Sequence, residues 1–517
     1  MDSFYLTTPI YYASGPPHLG HAYTTILGDV LARYHRRRSE DVLFLTGTDE
    51  HGQKIQTAAA EAETDPQSWC DDISDRFKAA WRDLSVSYDR FIRTTEDEHK
   101  AVVLAFLEAL FDNGHVYEAE YVGWYSVGQE RYFTEKEIGP DRVDPVAGKP
   151  VERIQETNWF FRMSDFQERL VRHIEENPDW IIPESRKNEV LGFLSQPLGD
   201  LSISRPRSRV SWGIPLPWDP DHVAYVWVDA LTNYVTASGQ ITPDLPPDER
   251  GFGASRPGSR WPADLHLIGK DILTTHAVYW PTLLMGAGLP LPRKILSHGW
   301  WVVGETKMSK SLGNVVDPLF LRGDYGTDAV RWYLIREMST GQDASYTPER
   351  FVARYGELAN ILGNLAHRTL SMIVRYRSGV MPAVEGRGLE GQVEATVSAY
   401  HGSMASYRLH DAMAAAMELA REANGYVEER EPWALAKDPD KGPELDETLA
   451  TLGRVLAVLT CLFEPVMPGK ARELASRLGL EEPPRFEDLE TLSLAGRSMA
   501  HGEPLFPRVE IGDVTEA

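Results

Sequence analysis

Residues 4–21, FYLTTPIYYASGPPHLGH, decide the fold class. Phe4 to Thr8 is short and rich in β-formers, Pro9 to Pro17 is dense in turn residues, and Ala22 to Arg36 carries apolar residues at helical spacing. Ile26, Val30 and Tyr34 make the stripe of that helix, with Leu27 and Leu31 beside them. Val42 to Thr46 is a second apolar run, followed by the loop Gly47-Thr48-Asp49-Glu50-His51-Gly52 and a helix-like stretch through Ala60. Strand, loop, helix and strand in this rhythm predict an α/β chain built on a parallel sheet.

Residues 118–221 break the rhythm. They are rich in Trp, Tyr, Pro and charge, include Trp212-Gly213-Ile214-Pro215-Leu216-Pro217-Trp218, and read as an insertion. The β/α pattern returns at Val223 to Asp229, at Asp264 to Ile268 before a helix carrying Ile272 to Leu284, and at Lys294 to Ser297. After Tyr346 long helical periodicity takes over, over Phe351 to Ser378, Glu394 to Arg430 and Leu445 to Leu462, predicting a bundle of about five helices. The expected organisation is two halves of one α/β domain (1–117 and 222–298) around a connective insertion (118–221). A loop region (299–346) and an α-helical domain (347–517) follow. Gly251-Phe252-Gly253-Ala254-Ser255 lacks the third glycine of a dinucleotide fingerprint and reads as a surface loop.

At 517 residues the chain is too long for one ordinary domain, and 42% hydrophobic with 25% charged residues is a globular composition. A net charge of −24 argues against non-specific coating of nucleic acid, so any such contact must be local. Only Cys70 and Cys461 occur, which excludes a disulfide framework and a Cys-based zinc cluster and fits a reducing compartment. The N-terminus has no basic segment leading into an apolar run, and no apolar stretch of about 18 residues occurs. A cytoplasmic protein without a membrane partner is expected.

Two segments suit phosphate chemistry. His18-Leu19-Gly20-His21 lies at a helix start, where free N–H groups and a partial positive charge meet anions, Gly20 admits close approach, and two imidazoles can donate to oxygens. The plain alternative is a pair of capping histidines. Lys307-Met308-Ser309-Lys310-Ser311 follows the strand-like Trp300 to Val303 and is flanked by Gly304 and Gly313. Such a loop can close over a triphosphate and set Lys307 and Lys310 against charge developing on departing pyrophosphate; alone, it could equally be a solvated basic loop.

In this order and context, HLGH and KMSKS resemble the two signatures of class I aminoacyl-tRNA synthetases. The resemblance implies a Rossmann-type domain that uses ATP with Mg2+, activates an amino acid as its adenylate, and transfers it to the terminal adenosine of tRNA. The insertion is too short for the editing domain of the Leu, Ile and Val enzymes, and the cysteines of the Cys enzyme are absent. From Phe4 nearly to its end the chain resembles the methionyl-tRNA synthetases.

The resemblance implies L-methionine, ATP and initiator and elongator tRNA(Met) as partners, and carries over site residues one by one. Ile10 and Tyr12 follow the first strand, Asp49 stands in GTDEHG, Trp227, Ala230, Leu231 and Tyr234 in VWVDALTNY, and Ile272, His276 and Trp280 in GKDILTTHAVYW. A thioether suits aromatic walls with one polar partner for sulfur, which Tyr12 or His276 could supply, and Asp49 would hold the substrate ammonium. On spacing alone the aromatics could be core residues and Asp49 a loop cap.

Gly269 and Asp271 match the family's ribose contacts, an N-cap aspartate being the alternative. Asn364 and Arg368 in NLAHR, with Trp433 after Glu431-Pro432, match the residues that read the CAU anticodon, Trp433 as stacking platform. Arg350, Arg354, Arg368, Arg375 and Arg377 form either a phosphate track or a solvated helix face.

Two departures shape the expectations. Many members carry zinc knuckles in the insertion, but residues 118–150 contain no Cys, so no zinc is expected and Trp124, Tyr125, Tyr132 and Phe133 should hold the knuckle. The chain ends without the appended tRNA-binding dimerisation domain of some members, so a monomer is expected. Another class I synthetase or nucleotidyltransferase and a non-enzymatic tRNA-binding relative remain the alternatives at this point.

Overall fold

The computed structural model describes residues 2–126, 131–133, 135–138, 140–144, 150–253, 256–303, 306–307 and 316–507, with the backbone alone at 131, 136, 137, 303, 306, 307 and 324. Its organising element is a parallel sheet. In spatial order the strands are Arg90–Arg93, Asp41–Asp49, Ser3–Thr7, Leu265–Gly269, Ile295–His298 and Ile181–Ile182. The short Tyr11–Tyr12 strand pairs with the far end of Asp41–Asp49, beyond Ser3–Thr7. Phe4, Tyr5, Leu6 and Thr7 are all buried, as a central strand covered by helices on both faces requires. From it the chain first moves out to Asp41–Asp49 and later returns on the other side at Leu265–Gly269. The gap between Ser3–Thr7 and Leu265–Gly269 is therefore the topological switch point, where α/β sheets bind ligands beyond the carboxyl ends of the strands.

The helix Leu19–Arg37 leaves that point and buries Ile26, Leu27, Val30, Leu31 and Tyr34 against the sheet layer. Asp41–Asp49 runs three residues further than its apolar run, so Gly47 to Asp49, read above as loop, are strand. The reason is a close neighbour: a Cβ on Gly47 would collide with the Ile92 carbonyl. Val223 to Asp229 is not one strand either. His222–Ala224 pairs antiparallel with Ser204–Pro206, and the helix Val226–Ser238 begins immediately after. That helix is buried on nearly every side, so it lacks the polar face that would have marked its period.

In and just before 118–221, starting at Val116, a four-stranded sheet runs in the order Arg131–Phe133, Val116–Ser126, Glu152–Phe161, Leu201–Ser202. The stretch is not wholly separate from the parent domain, because Ile181–Ile182 pairs with Ile295 and Leu296 in the main sheet; two residues are too short to show a period. Trp124 pairs with Phe133 and Tyr125 with Tyr132 across strands, and the Arg205 guanidinium lies 4.4 Å and 4.3 Å over the Tyr132 and Tyr225 rings.

Beyond the short Trp301–Val303 and Thr306–Lys307 pair the described chain is mostly helical, apart from the strand Ala344–Ser345, which pairs parallel with Trp301 and Val302. Pro348–Glu357 continues through the wide π turn Leu358–Gly363 into Asn364–Arg377, and Glu390–Ala405, Leu409–Arg430, Gly442–Phe463 and Pro468–Arg477 complete the bundle. The single period read over Glu394 to Arg430 is split at Tyr407, whose φ of 56° no helix continues through. No helix among the described residues is long and apolar enough to cross a membrane.

Candidate active site

His18 and His21 stand where the Ser3–Thr7 strand hands over to its helix. The Gly20 N–H donates to His18 Nδ1 at 3.1 Å and the His18 N–H to His21 Nδ1 at 3.2 Å, a reciprocal cap, with the rings stacked 3.7 Å apart. A ring nitrogen that accepts carries no proton, so this pattern assigns each imidazole proton to Nε2. In both rings Nε2 is therefore the donor. The sequence reading offered the helix's backbone N–H groups as well, but Leu19 N–H already donates to the Val316 carbonyl at 3.0 Å and Gly20 N–H to His18. The capping reading is what the geometry shows, and the cap fixes the tautomer of both rings.

Val316 is the first described residue after the KMSKS stretch, and its bond to Leu19 ties the exit of that stretch to the histidine motif. Lys307 pairs its backbone with Val302, and Lys310 lies outside the described residues. Across the switch point, Gly269 ends its strand opposite His298, and Asp271 is exposed just beyond, accepting from Trp300 Nε1 at 3.2 Å.

Asp49 ends its strand buried, with its carbonyl accepting from Ala13 N–H at 2.9 Å. Ile10, Tyr12, Trp227 and Ile272 are half-buried members of one hydrophobic cluster that also contains Leu231, Tyr234 and Trp280; Ala230 is buried on the same helix as Trp227. Tyr12 meets Trp227 edge-on at 6.2 Å, and Trp227 meets His276 at 6.4 Å. His276 lies in a π turn, Thr275–Tyr279, which widens the helix at this wall.

His276 Nδ1 faces the Ile272 carbonyl at 2.9 Å and therefore carries the proton, so Nε2, 2.8 Å from the Tyr234 hydroxyl, accepts from it. Burial lowers the His276 pKa to about 4, with Ile272 and Asp271 opposing, so the ring is neutral. Both of its nitrogens are engaged. His276, read above as a possible partner for sulfur, has no N–H to give, and Tyr12 is left of that pair. Trp280 is wholly buried behind Tyr234, its indole N–H donating to His266 Nε2 at 3.2 Å.

In the bundle, Asn364 is exposed and donates to Asn424 at 3.0 Å, while Arg368 pairs with Glu428 at 2.7 Å and lies 5.9 Å over the half-buried Trp433 ring. Arg350, Arg354 and Arg377 are likewise paired with acids, to Glu337, Glu357 and Asp446. This favours the solvated-face reading of that arginine series over a phosphate track. Among the described residues no group of three His, Cys, Asp or Glu side chains is placed to hold a metal.

A family model described as tRNA synthetases class I (M) matches residues 4–141 and 140–370. The methionine–tRNA ligase of Thermotoga maritima is 43% identical over 524 residues, covering 99% of this chain and 81% of that protein. This chain belongs to the methionyl-tRNA synthetase family of class I. The Bacillus subtilis methionine–tRNA ligase is 42% identical over 530 residues, covering 98% of this synthetase and 78% of the relative. The Mycobacterium tuberculosis methionyl-tRNA synthetase in complex with methionyl-adenylate superposes with a TM-score of 0.91 at 40% identity, over 98% of this chain and 100% of that one. Its apo form gives 0.85 at 37% identity, over 99% of each chain.

Several residues around the synthetase site carried no separate sequence signal. Glu50 is buried and held by Arg93 at 2.7 and 2.9 Å, His51 and His99 bind Asp229, and Lys270 sits 4.0 Å over Trp300 while pairing with Asp343. Glu50, His51 and Asp229 stand inside the motifs quoted above, but their partners are remote in sequence, so no local pattern announces them.

Proposed function

We propose that this synthetase activates L-methionine in the crevice at the switch point and charges tRNA(Met), initiator and elongator alike, working as a cytoplasmic monomer. ATP enters as its magnesium complex. The methionine carboxylate attacks the α-phosphorus, pyrophosphate leaves, and the methionyl group then moves to the terminal adenosine of tRNA. His18 and His21 donate their Nε2–H groups to phosphate oxygens beside Gly20, Gly269 and Asp271 hold the ribose, and Lys307 and Lys310 stabilise charge on the leaving pyrophosphate. Asp49 binds the ammonium. Ile10, Tyr12, Trp227, Ala230, Leu231, Tyr234, Ile272, His276 and Trp280 enclose the side chain, and a neutral, fully engaged His276 gives the thioether an apolar wall. Asn364, Arg368 and Trp433 read the anticodon. The insertion needs no zinc; the cross-strand aromatic pairs and the Arg205 cation over the Tyr132 and Tyr225 rings support that reading.

What supports the proposal is that the His18–His21 cap assigns both imidazole protons to Nε2 at the switch point, while the buried Asp49 ends the neighbouring strand and Tyr12, Trp227, Leu231 and Tyr234 belong to one hydrophobic cluster. ATP–pyrophosphate exchange, run with each of the twenty amino acids and no tRNA, tests it. Methionine alone should drive exchange. Exchange with a different amino acid would refute the pocket, and none at all would refute the enzyme. A stoichiometric zinc signal in the purified protein would refute the zinc-free insertion.

A further inference from the structure

The helix that supplies Trp227, Ala230, Leu231 and Tyr234 also carries Asp229, a buried carboxylate that the reaction as described does not use. Its Oδ2 lies 2.7 Å from His51 Nδ1 and its Oδ1 lies 2.9 Å from His99 Nε2; His99 Nδ1 in turn meets Thr236 Oγ1 at 3.0 Å. His51 stands two residues past Asp49. Trp212, from the Pro-rich stretch of the insertion, closes the other side of that loop. Its indole N–H donates to the Glu50 carbonyl at 2.6 Å, its carbonyl accepts from Gly52 N–H at 3.0 Å, and its ring lies 5.5 Å from His51.

A carboxylate taken out of water at this depth is costly, and an apolar side chain would fill the same volume with equal or better stability. Burial would raise the Asp229 pKa, but His51 and His99 outweigh it and hold the group at about 2, so the charge is kept. What such a charge supplies is direction. Through His51, Asp229 gives the meeting of the loop after Asp49 and the pocket helix a directional bond, which apolar contacts, free to slide, do not supply.

We propose that Asp229 is a positioning residue for methionine recognition: through His51 it sets the spacing between the ammonium-binding carboxylate of Asp49 and the thioether pocket on its own helix. This rests on the methionine-activating function proposed above. A fixed spacing measures the length of the amino acid, so Asp229 serves discrimination against substrates longer by one methylene.

The test compares wild type, Asp229→Asn and His51→Gln in pyrophosphate exchange with methionine and with ethionine, alongside circular dichroism. Asp229→Asn should raise the KM for methionine by about tenfold or more and leave the KM for ATP within about twofold. It should also lower the methionine-to-ethionine ratio of kcat/KM by about threefold or more. His51→Gln should move the same quantities in the same direction. A folded Asp229→Asn with an unchanged substrate ratio, or with only kcat reduced, would overturn the proposal, since a merely structural role lowers the active fraction without touching selectivity. If Asp229→Asn does not fold, His51→Gln decides on the same readouts; if neither folds, the network is a folding element and the proposal fails. Wild type inactive with methionine would refute the underlying function, whereas active wild type with unchanged variants refutes the positioning role alone.

Discussion

Arg331→Met should uncouple the catalytic helix from the C-terminal bundle. The Arg331 guanidinium is fully buried and donates through Nε to Val466 O at 2.7 Å, through Nη1 to Leu84 O at 3.1 Å, and through Nη2 to Asp29 Oδ2 at 2.6 Å and Pro465 O at 3.0 Å. Asp29 belongs to the Leu19–Arg37 helix that begins at the histidine motif, and Pro465 and Val466 form the turn before the last helix of the bundle. Methionine fills similar length but supplies no donor. Removing one partner of a buried ion pair costs about 3–5 kcal/mol. Asp29 keeps Arg33 at 2.8 Å and the Ser87 N–H and hydroxyl at 2.6 Å each, which places that contribution at the low end. The three carbonyls left without a donor add about 1 kcal/mol each. The sum, about 6 kcal/mol, is a large share of the stability of an ordinary domain. Urea unfolding followed by tryptophan fluorescence reads it, and the first transition should fall by about 1 M or more. In a cycle with Asp29→Asn the two changes should be strongly non-additive. A loss below about 1 kcal/mol, or simple additivity, would refute the claim that this contact fastens the two units.

Four further outcomes follow. Asp49→Asn removes a charge-assisted bond worth about 1.5–3 kcal/mol, so the KM for methionine should rise by about 10- to 100-fold with the KM for ATP unchanged; an unmoved methionine KM would take Asp49 out of ammonium binding. Because burial lowers the His276 pKa to about 4, below its unfolded value of about 6.5, its neutral form contributes stability that is complete above about pH 6.5 and is lost as pH falls toward 4. The urea midpoint of wild type should fall across that window more steeply than that of His276→Gln, and equal slopes would assign the acid loss elsewhere. Trp433→Ala should lower kcat/KM for tRNA by about 10- to 100-fold through lost stacking, and Lys310→Ala should cut methionine activation at least about tenfold with methionine binding little changed. Tryptophan-independent charging, or a full adenylation rate without Lys310, would count against those roles.

The chain's opening was legible because Ser3–Thr7 and Leu19–Arg37 each carry a clear period and are separated by prolines and glycines. Val226–Ser238 was not, since a helix buried on nearly every side has no polar face to reveal its turn, and its aromatic and β-branched opening imitates a strand. The same residues that hid the helix bring Trp227 against Tyr12 and His276. Asp49 and Tyr234 stood in recognisable motifs, whereas the tautomer of His276 could be assigned only once Ile272 and Tyr234 were seen on its two nitrogens.

By itself the sequence determined the α/β alternation, the helical C-terminal region, the shortage of cysteine and the residue types of the site, because periodicity and local chemistry act over a few neighbouring residues. Only the tertiary structure decided which strands flank the switch point, which imidazole nitrogens carry protons, and that Asp229 meets His51 and Arg331 meets Asp29. Those contacts join residues far apart in the chain, and their energies come from burial and direction, which exist only after the layers have packed.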